Sequence, residues 1–507
     1  MRRVLVAAWL NLCLAMQLFS QDYGIQWVQG DVPVSIMDFR NDTVQFHFIT
    51  DSPNVAMFIG TANICNKQGE FLFFTNGIYV RDRYGNMMPN GDSLCYSEQW
   101  YTAFNNVYQT IYPNGLPSAQ SVMILPKPGN DNLYYIFHYL TTDTSYLLKN
   151  MVQTAPLVLY YSLVGMNENF GLGAVIEKNV RLPIYQPMCS SRMTAVKHGN
   201  GRDWWLVRHG DRDNTYIKFL ITPNEIDGPY FQKIGPSYNR DNLAIDYYGA
   251  SVFSLAGDKM ASSNFWGPIV VLDFDRCNGE FSNPITINNM LEDTTWYGAA
   301  YTTLSPNGRF LYANNVYGLN QYDLWSSNIN DSVRLYTRDS TDPYWLSAMQ
   351  LAPNGKIYIA KWNGGSYALH VINKPDEYGW ACDFEFNGQQ CITANTVNLP
   401  NMVNYKLGTL VGSACDTIIN SVSGLSGDKF KVSISPNPAS DKVDIVIKGS
   451  KEDLRMMVYN NLGEIVGNAV VNHYVEFDVS NFTNGVYQVC FISPNGTVSS
   501  SRLVVAK

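Results

Sequence analysis

The chain has 507 residues, of which 46% are hydrophobic, 13% aromatic and only 15% charged. It is too long for one ordinary core and too apolar for a long disordered or polybasic tail, so two or more domains, or one large repetitive domain, are expected. The formal net charge of −8 argues against a phosphate-binding surface, which needs clustered Lys and Arg, and nucleic acid is not an expected partner.

Residues 1–20 read as an export address. Arg2 and Arg3 precede an apolar run from Val4 to Met16, and a polar exit follows around Gln17 to Gln21, the layout of a signal peptide cut near Ser20. A membrane anchor would need about 20 continuous apolar residues, and Asn11 and Gln17 shorten this run. Cys13 lacks the small-residue setting of a lipidated cysteine, and no later segment is expected to be transmembrane.

From residue 21 onward, strands and turns alternate. "NKQGEFLFFTNGIYV", "GNDNLYYIFHYL" and "GNGRDWWLVRHG" each place a Gly- or Asn-rich turn before aromatic and β-branched residues, which is strand chemistry. Helical periodicity nowhere outlasts a turn or two. With Asn200-Gly201 as the bend of the third segment, residues whose numbers sum to 401 pair, so His198 faces Asp203 and His209 faces Arg192.

Further on the pattern becomes a repeat. "FSLAGDKMAS" (Phe253 to Ser262), "LSPNGRFLYA" (Leu304 to Ala313) and "LAPNGKIYIA" (Leu351 to Ala360) each set a tight turn before an alternating apolar run. Ser254, Ser305 and Ala352 mark the copies, 51 and 47 residues apart. A period of roughly 50 predicts four-stranded propeller blades, seven of them or eight.

"GEFLFFTNGIYVRDRYGNMMPNGD", "QSVMILPKPGNDNLYYIFHY", "MTAVKHGNGRDWWLVRHG", "MQLAPNGKIYIA" and "VNLPNMVNY", in that order, resemble the propeller of surface proteins of gliding bacteria. That resemblance implies an extracellular β-propeller and no particular chemistry.

After the Gly/Ser-rich "GLSGDKF", the stretches "KVSISPNPASDKVDIVI", "MVYNNLGEIV" and "FTNGVYQVCFISPNGTVSSSRLVVAK" read as short alternating strands, enough for a small β-sandwich. This region is similar to the type A C-terminal sorting domain of type IX secretion. The matching marks are Pro436, Asn437 and Pro438, then Leu462 and Gly463, then Gly485 and Tyr487, with Arg502 and Lys507 at the end. Arg502 stands where the family usually has Lys. The resemblance implies a signal recognised by the type IX translocon and removed on release or surface attachment. Gly485 is expected to supply a turn conformation that a β-branched residue resists.

The fold class is therefore all-β, a seven-bladed (or eight-bladed) β-propeller followed by a small Ig-like β-sandwich. The expected division is signal peptide 1–20, propeller 21–413, linker 414–430 and sorting domain 431–507. Loss of Cys13 from the nine cysteines leaves eight in an oxidising setting, which allow 105 complete pairings. Cys382 and Cys391 are the expected bridge, closing a short loop around the Asn387-Gly388 turn.

Candidate chemistry is sparse. The chain has no GxSxG, HExxH, phosphate loop or dinucleotide fingerprint, and no cofactor or metal is expected. His198 and His209 lack a visible third ligand. Asp211, Asp213 and Asn214 read as a calcium loop or, more simply, an Asp/Asn turn. Asp273 and Asp275 read as a glycosidase pair or as the end of a strand. Aromatic doublets such as Tyr134-Tyr135, Tyr160-Tyr161, Trp204-Trp205 and Tyr247-Tyr248 read mainly as inter-blade packing, whereas Trp266 and Trp362 are better placed to bind. The leading expectation is a non-enzymatic propeller that binds an extracellular protein or glycan through its loop-rich face. The alternative is a polymer hydrolase or lyase with carboxylates at the propeller centre.

Overall fold

The computed structural model describes residues 21–30, 33–49, 57, 60–94, 115–116, 118–141, 157–184, 188–189, 191–210, 213–237, 249–264, 267–288, 301–315, 317–339, 341, 345–362, 365–395, 399–416, 431–449, 453–460, 465–492 and 498–507. They fall into two compact units, Met1–Asp416 and Thr417–Lys507. The candidate signal peptide and residues 417–430 of the expected linker lie outside the described residues. Among the described residues no helix is long and apolar enough to cross a membrane.

The first unit is built of antiparallel meanders. Its described residues form seven sheets in chain order, two of three strands and five of four. Sheets 1 and 2 span 26–48 and 62–82, and sheets 3 to 7 span 122–181, 194–233, 251–287, 301–337 and 345–395. First strands such as Ala62–Cys65, Val122–Pro126 and Thr194–Lys197 are buried along their whole length, because both of their faces are covered. The last strand of a sheet, such as Phe281–Ile287, is exposed in its middle. First strands of successive sheets touch, Gln26–Gln29 against Ala62–Cys65 and Ser251–Phe253 against Tyr301–Leu304. Sheet 1 in turn meets sheet 7, where the hydroxyls of Ser35 and Thr393 lie 2.7 Å apart and the Trp27 and Tyr358 rings meet edge-on at 6.2 Å. Meanders that follow one another and return the last to the first are the arrangement of a β-propeller.

One turn recurs between first and second strands. The N–H groups of Gly69, Gly201, Gly257, Gly308 and Gly355 donate to the carbonyls of Asn66, His198, Ser254, Ser305 and Ala352 at 2.8–3.0 Å. Each of these glycines has φ between 72° and 81°, a region open to Gly without steric cost. The Pro306–Gly308 and Pro353–Gly355 turns thus hold the same place in successive sheets, as the repeat predicts. In sheet 4 the pairs Lys197–Trp204 and Thr194–Val207 follow the expected register, and the N–H of His198 donates to the Asp203 carbonyl at 2.8 Å.

The fourth strands share a different device. Asn179, Gly228, Asn283 and Asn387 all have positive φ where the register shifts in sheets 3, 4, 5 and 7. Each shift is a bulge that adds twist to an outer strand. This corrects the expected Cys382–Cys391 bridge. Asn387-Gly388 makes a bulge inside one continuous strand, Phe384–Asn395, so no hairpin brings the two cysteines together. Cys382 and Cys391 are buried and unbridged. The disulfide instead joins Cys277 to Cys415, with Cα atoms 5.5 Å apart.

Cys415 ends a strap, Leu399–Asp416, that follows the last sheet through the middle of the ring. The N–H of Asn401 donates to the Thr61 carbonyl, and its Nδ2 donates to the carbonyls of Val122 and Met193. Tyr405 is buried against Tyr23 and Trp204 and donates its hydroxyl to the Ile124 carbonyl at 2.9 Å. Beyond it, Arg276 donates to the Gly408 carbonyl and the Leu410 N–H to the Gly199 carbonyl.

The second unit pairs a three-stranded and a four-stranded sheet. Strands Lys442–Lys448 and Leu454–Tyr459 alternate buried and open residues. Their inward side chains, Val443, Ile445, Ile447, Leu454, Met456 and Val458, share one core with Tyr487, Val489, Phe491 and Leu503.

Candidate functional site

In the C-terminal unit, marks far apart in the chain come together. Asn437 lies between two prolines, and its side chain reaches the closing strand Val498–Val505. There Nδ2 donates to the Arg502 carbonyl and Oδ1 accepts from the Val504 N–H, both at 2.8 Å. Ala439 continues the pairing, since its N–H donates to the Val504 carbonyl and its carbonyl accepts from the Ala506 N–H. The Pro436–Pro438 start is thereby fastened to the chain's last strand.

Tyr487 is buried, donates its hydroxyl to the Thr483 carbonyl at 2.8 Å and packs on Phe482 at 4.9 Å. Lys507 closes the unit, its N–H donating to Asn484 Oδ1 and its ammonium to the Ser480 carbonyl. Gly485 differs from expectation. It opens the Gly485–Ile492 strand paired with Val505, has no left-handed φ, and a Cβ there would meet nothing closer than 4.0 Å. Its role is therefore not a forced backbone conformation. Leu462 and Gly463 lie outside the described residues.

The candidate chemistry of the first unit resolves mostly into structure. Asp273 pairs with Lys259 and accepts from Asn283 Nδ2 at 2.8 Å, while Asp275 accepts from the Cys277 N–H in the following turn. Asp213 binds the backbone and hydroxyl of Thr215, as an ordinary Asp turn does; Asp211 lies outside the described residues. His198 contacts the Cys277 carbonyl at 2.9 Å, and His209 is buried against Tyr216. Among the described residues no group of His, Cys, Asp and Glu is placed to hold a metal.

The centre of the ring holds a cavity of about 320 Å³, lined by Trp27, Phe253, Thr303, Gln350, Met402 and Tyr405 among others. The first strands of the seven sheets, QWVQ, ANIC, VMILP, TAVK, SVF, YTTL and WLSAMQL, carry no Asp, Glu or His. Lys406 at its edge is paired with Asp22 at 2.6 Å. Lys197 lies 4.1 Å over the Trp204 ring, and burial draws its ammonium down to about 7.

Trp204 and Trp205 are both buried and divide between neighbouring cores, Trp205 donating its indole N–H to Arg276 in the next sheet. Tyr134 and Tyr135 are buried as well, whereas Tyr247 and Tyr248 lie outside the described residues. Of the two tryptophans singled out for binding, Trp266 lies outside the described residues and Trp362 is a half-buried strand residue opposite Trp345. Other rings are exposed, among them Trp325, Tyr378 and Trp380, at 67%, 58% and 68%. They were missed because exposure of a ring on a strand-connecting turn depends on neighbouring sheets.

The chain thus joins an all-β propeller to a separate β unit closed by its own ends. Residues 433–506 match the secretion system C-terminal sorting domain family, and the second unit is such a domain. No curated protein matches the chain. Solved structures resemble it distantly. The β-propeller domain of Cps50 (Swd1) from Myceliophteria thermophila is 11% identical with a TM-score of 0.39, covering 68% of this chain and 92% of that one. The periplasmic gluconolactonase PpgL of Pseudomonas aeruginosa is 13% identical with a TM-score of 0.41, over 74% and 98%. PorZ, a surface component of the type IX secretion system of Porphyromonas gingivalis, is 10% identical with a TM-score of 0.31, over 96% and 74%.

Proposed function

We propose that the chain is an exported seven-bladed β-propeller, delivered through type IX secretion by an Ig-like C-terminal domain, that binds an extracellular protein or glycan without chemistry of its own. The observation that carries the export reading is the sorting-domain match over residues 433–506. The clamp of Asn437 on the closing strand supports a domain that folds as a unit for recognition by the translocon. The seven successive meanders support one blade per sheet, and residues 1–20 supply the signal for the first membrane. Exposed aromatic rings on a rigid scaffold support binding. The product is secreted or held at the cell surface.

The test is a fusion of residues 1–20, an inert fluorescent reporter and residues 431–507, expressed in a host with type IX secretion. Reporter outside the cell is the expected result. Reporter retained in the periplasm while the full chain is exported would show that the domain is not a sufficient signal.

A further inference from the structure

The 1–2 and 3–4 connections of an antiparallel four-stranded meander lie at the same end of the sheet. In sheets 6 and 7 that end carries Arg309 after the first strand of sheet 6, Trp325 after its third, and Tyr378 and Trp380 after the third strand of sheet 7. All three rings are more than half exposed, and the large exposed apolar side chains on these connections are all aromatic.

They are also held in place. The 373–383 connection of sheet 7 is fastened onto sheet 6: Tyr312 donates its hydroxyl to the Pro375 carbonyl, Gln321 Nε2 donates to the Glu377 carbonyl, and Gln321 Oε1 accepts from the Gly379 N–H, at 2.7–2.8 Å. Asp376 accepts from the Asn307 N–H at 2.9 Å. On the sheet 6 side the Arg309 guanidinium lies 4.8 Å from the Phe310 ring and 5.2 Å from the Trp325 ring, and forms a two-pronged ion pair with Asp323. Phe310 in turn lies 6.1 Å from Tyr378. A chain of contacts therefore links Trp325 through Arg309 and the buried Phe310 ring to Tyr378.

We propose that this platform, Trp325, Tyr378 and Trp380 with Arg309, Asp323 and Asp376 between them, is a binding site for a neutral polysaccharide. The inference rests on the binding function proposed above and names its ligand class. Flat rings present a face to the C–H side of a pyranose, and the polar groups between them can exchange hydrogen bonds with its hydroxyls. Rings carried on fastened connections lose less conformational freedom on binding than rings on loose ones. The opposed charges of Arg309 and Asp323 cancel, which gives no reason to favour a polyanion.

The experiment is affinity electrophoresis of the full chain in gels containing laminarin, xylan or galactomannan, with alginate as the charged comparison. Expected is retardation by at least one of the three neutral polymers, weakened about tenfold or more in W325A and in Y378A and unchanged in Y367A, which removes an exposed ring elsewhere on sheet 7. A thermal melt of each variant separates lost binding from lost folding. Retardation by none of the three, by alginate alone, or equally in W325A and the native chain would overturn the site. If the chain binds a protein and no neutral polymer, the site fails while the broader binding function stands.

Discussion

The side-chain oxygen of Asn437 accepts a hydrogen bond from the N–H of Val504, 67 residues further along the chain, at 2.8 Å. With its partner bond to the Arg502 carbonyl, it is the side-chain clamp that joins the beginning of the sorting unit to its last strand. Asn437→Ala is expected to cost about 1–2 kcal/mol, two exposed neutral hydrogen bonds. Hydrogen exchange of the full chain checks this: protection should fall first in residues 498–505, while the propeller strands keep theirs.

Within the same unit, two glycines should answer oppositely. Gly485→Val is expected to change stability by less than about 0.5 kcal/mol, since there is room for a side chain in an extended strand. Gly467→Val would place its Cβ 2.7 Å from the Phe477 ring, and overpacking of this kind costs about 1–3 kcal/mol. Denaturant melts of the two variants test the contrast.

The Cys277–Cys415 bridge closes a separation of 138 residues, and Cys415→Ser is expected to lower stability by about 2–5 kcal/mol. Cys382→Ser should show no comparable loss of a cross-link. Peptide mapping without reductant supplies the direct check: a linked Cys277–Cys415 pair, with Cys382 and Cys391 both open to alkylation after unfolding.

Asn401→Ala would leave the Val122 and Met193 carbonyls without their shared buried donor. The expected loss is about 1–3 kcal/mol, read as a lower midpoint in the thermal unfolding of the propeller.

His138 is buried beside Ser162, and burial pushes its imidazole down to about 3. The unfolded chain takes up that proton near pH 6.5, roughly the ordinary value. Stability linked to His138 is therefore complete above about pH 6.5 and is lost as the pH falls toward 3, by up to about 1.4 kcal/mol per pH unit. His138→Gln should melt with a flatter pH dependence between about pH 6.5 and 4. Buried His209, also well below its ordinary range, preserves part of the slope.

What was legible in the amino-acid sequence was local. Pro306–Gly308 and Pro353–Gly355 could be placed because a Gly in the left-handed region after a tight turn is written in adjacent residues. Lys197 and Trp204 could be paired because one bend sets the register of both strands. Asn387-Gly388 was misread because the same two residues suit a hairpin turn and a bulge, and only the partner strand Ser366–Ile372 decides between them. Cys277 and Cys415 could not be matched, because the strap that brings them together is irregular and touches several sheets in turn. The platform of Trp325, Tyr378 and Trp380 was hidden for a similar reason: two sheets contribute to it.

The strap also sets the order in which this protein can be completed. Each meander can form once its own strands are present, because the turns and registers are local. Yet Thr61, Val122, Ile124 and Met193 wait for Asn401 and Tyr405 to meet their carbonyls, so the first sheets lack these bonds until the strap is in place. A stacked repeat array can lose its last unit and keep the rest. Here truncation anywhere before Tyr405 removes a part that touches sheets near the start of the chain. The propeller reaches its final state only once the strap is present, whatever the order in which its meanders form.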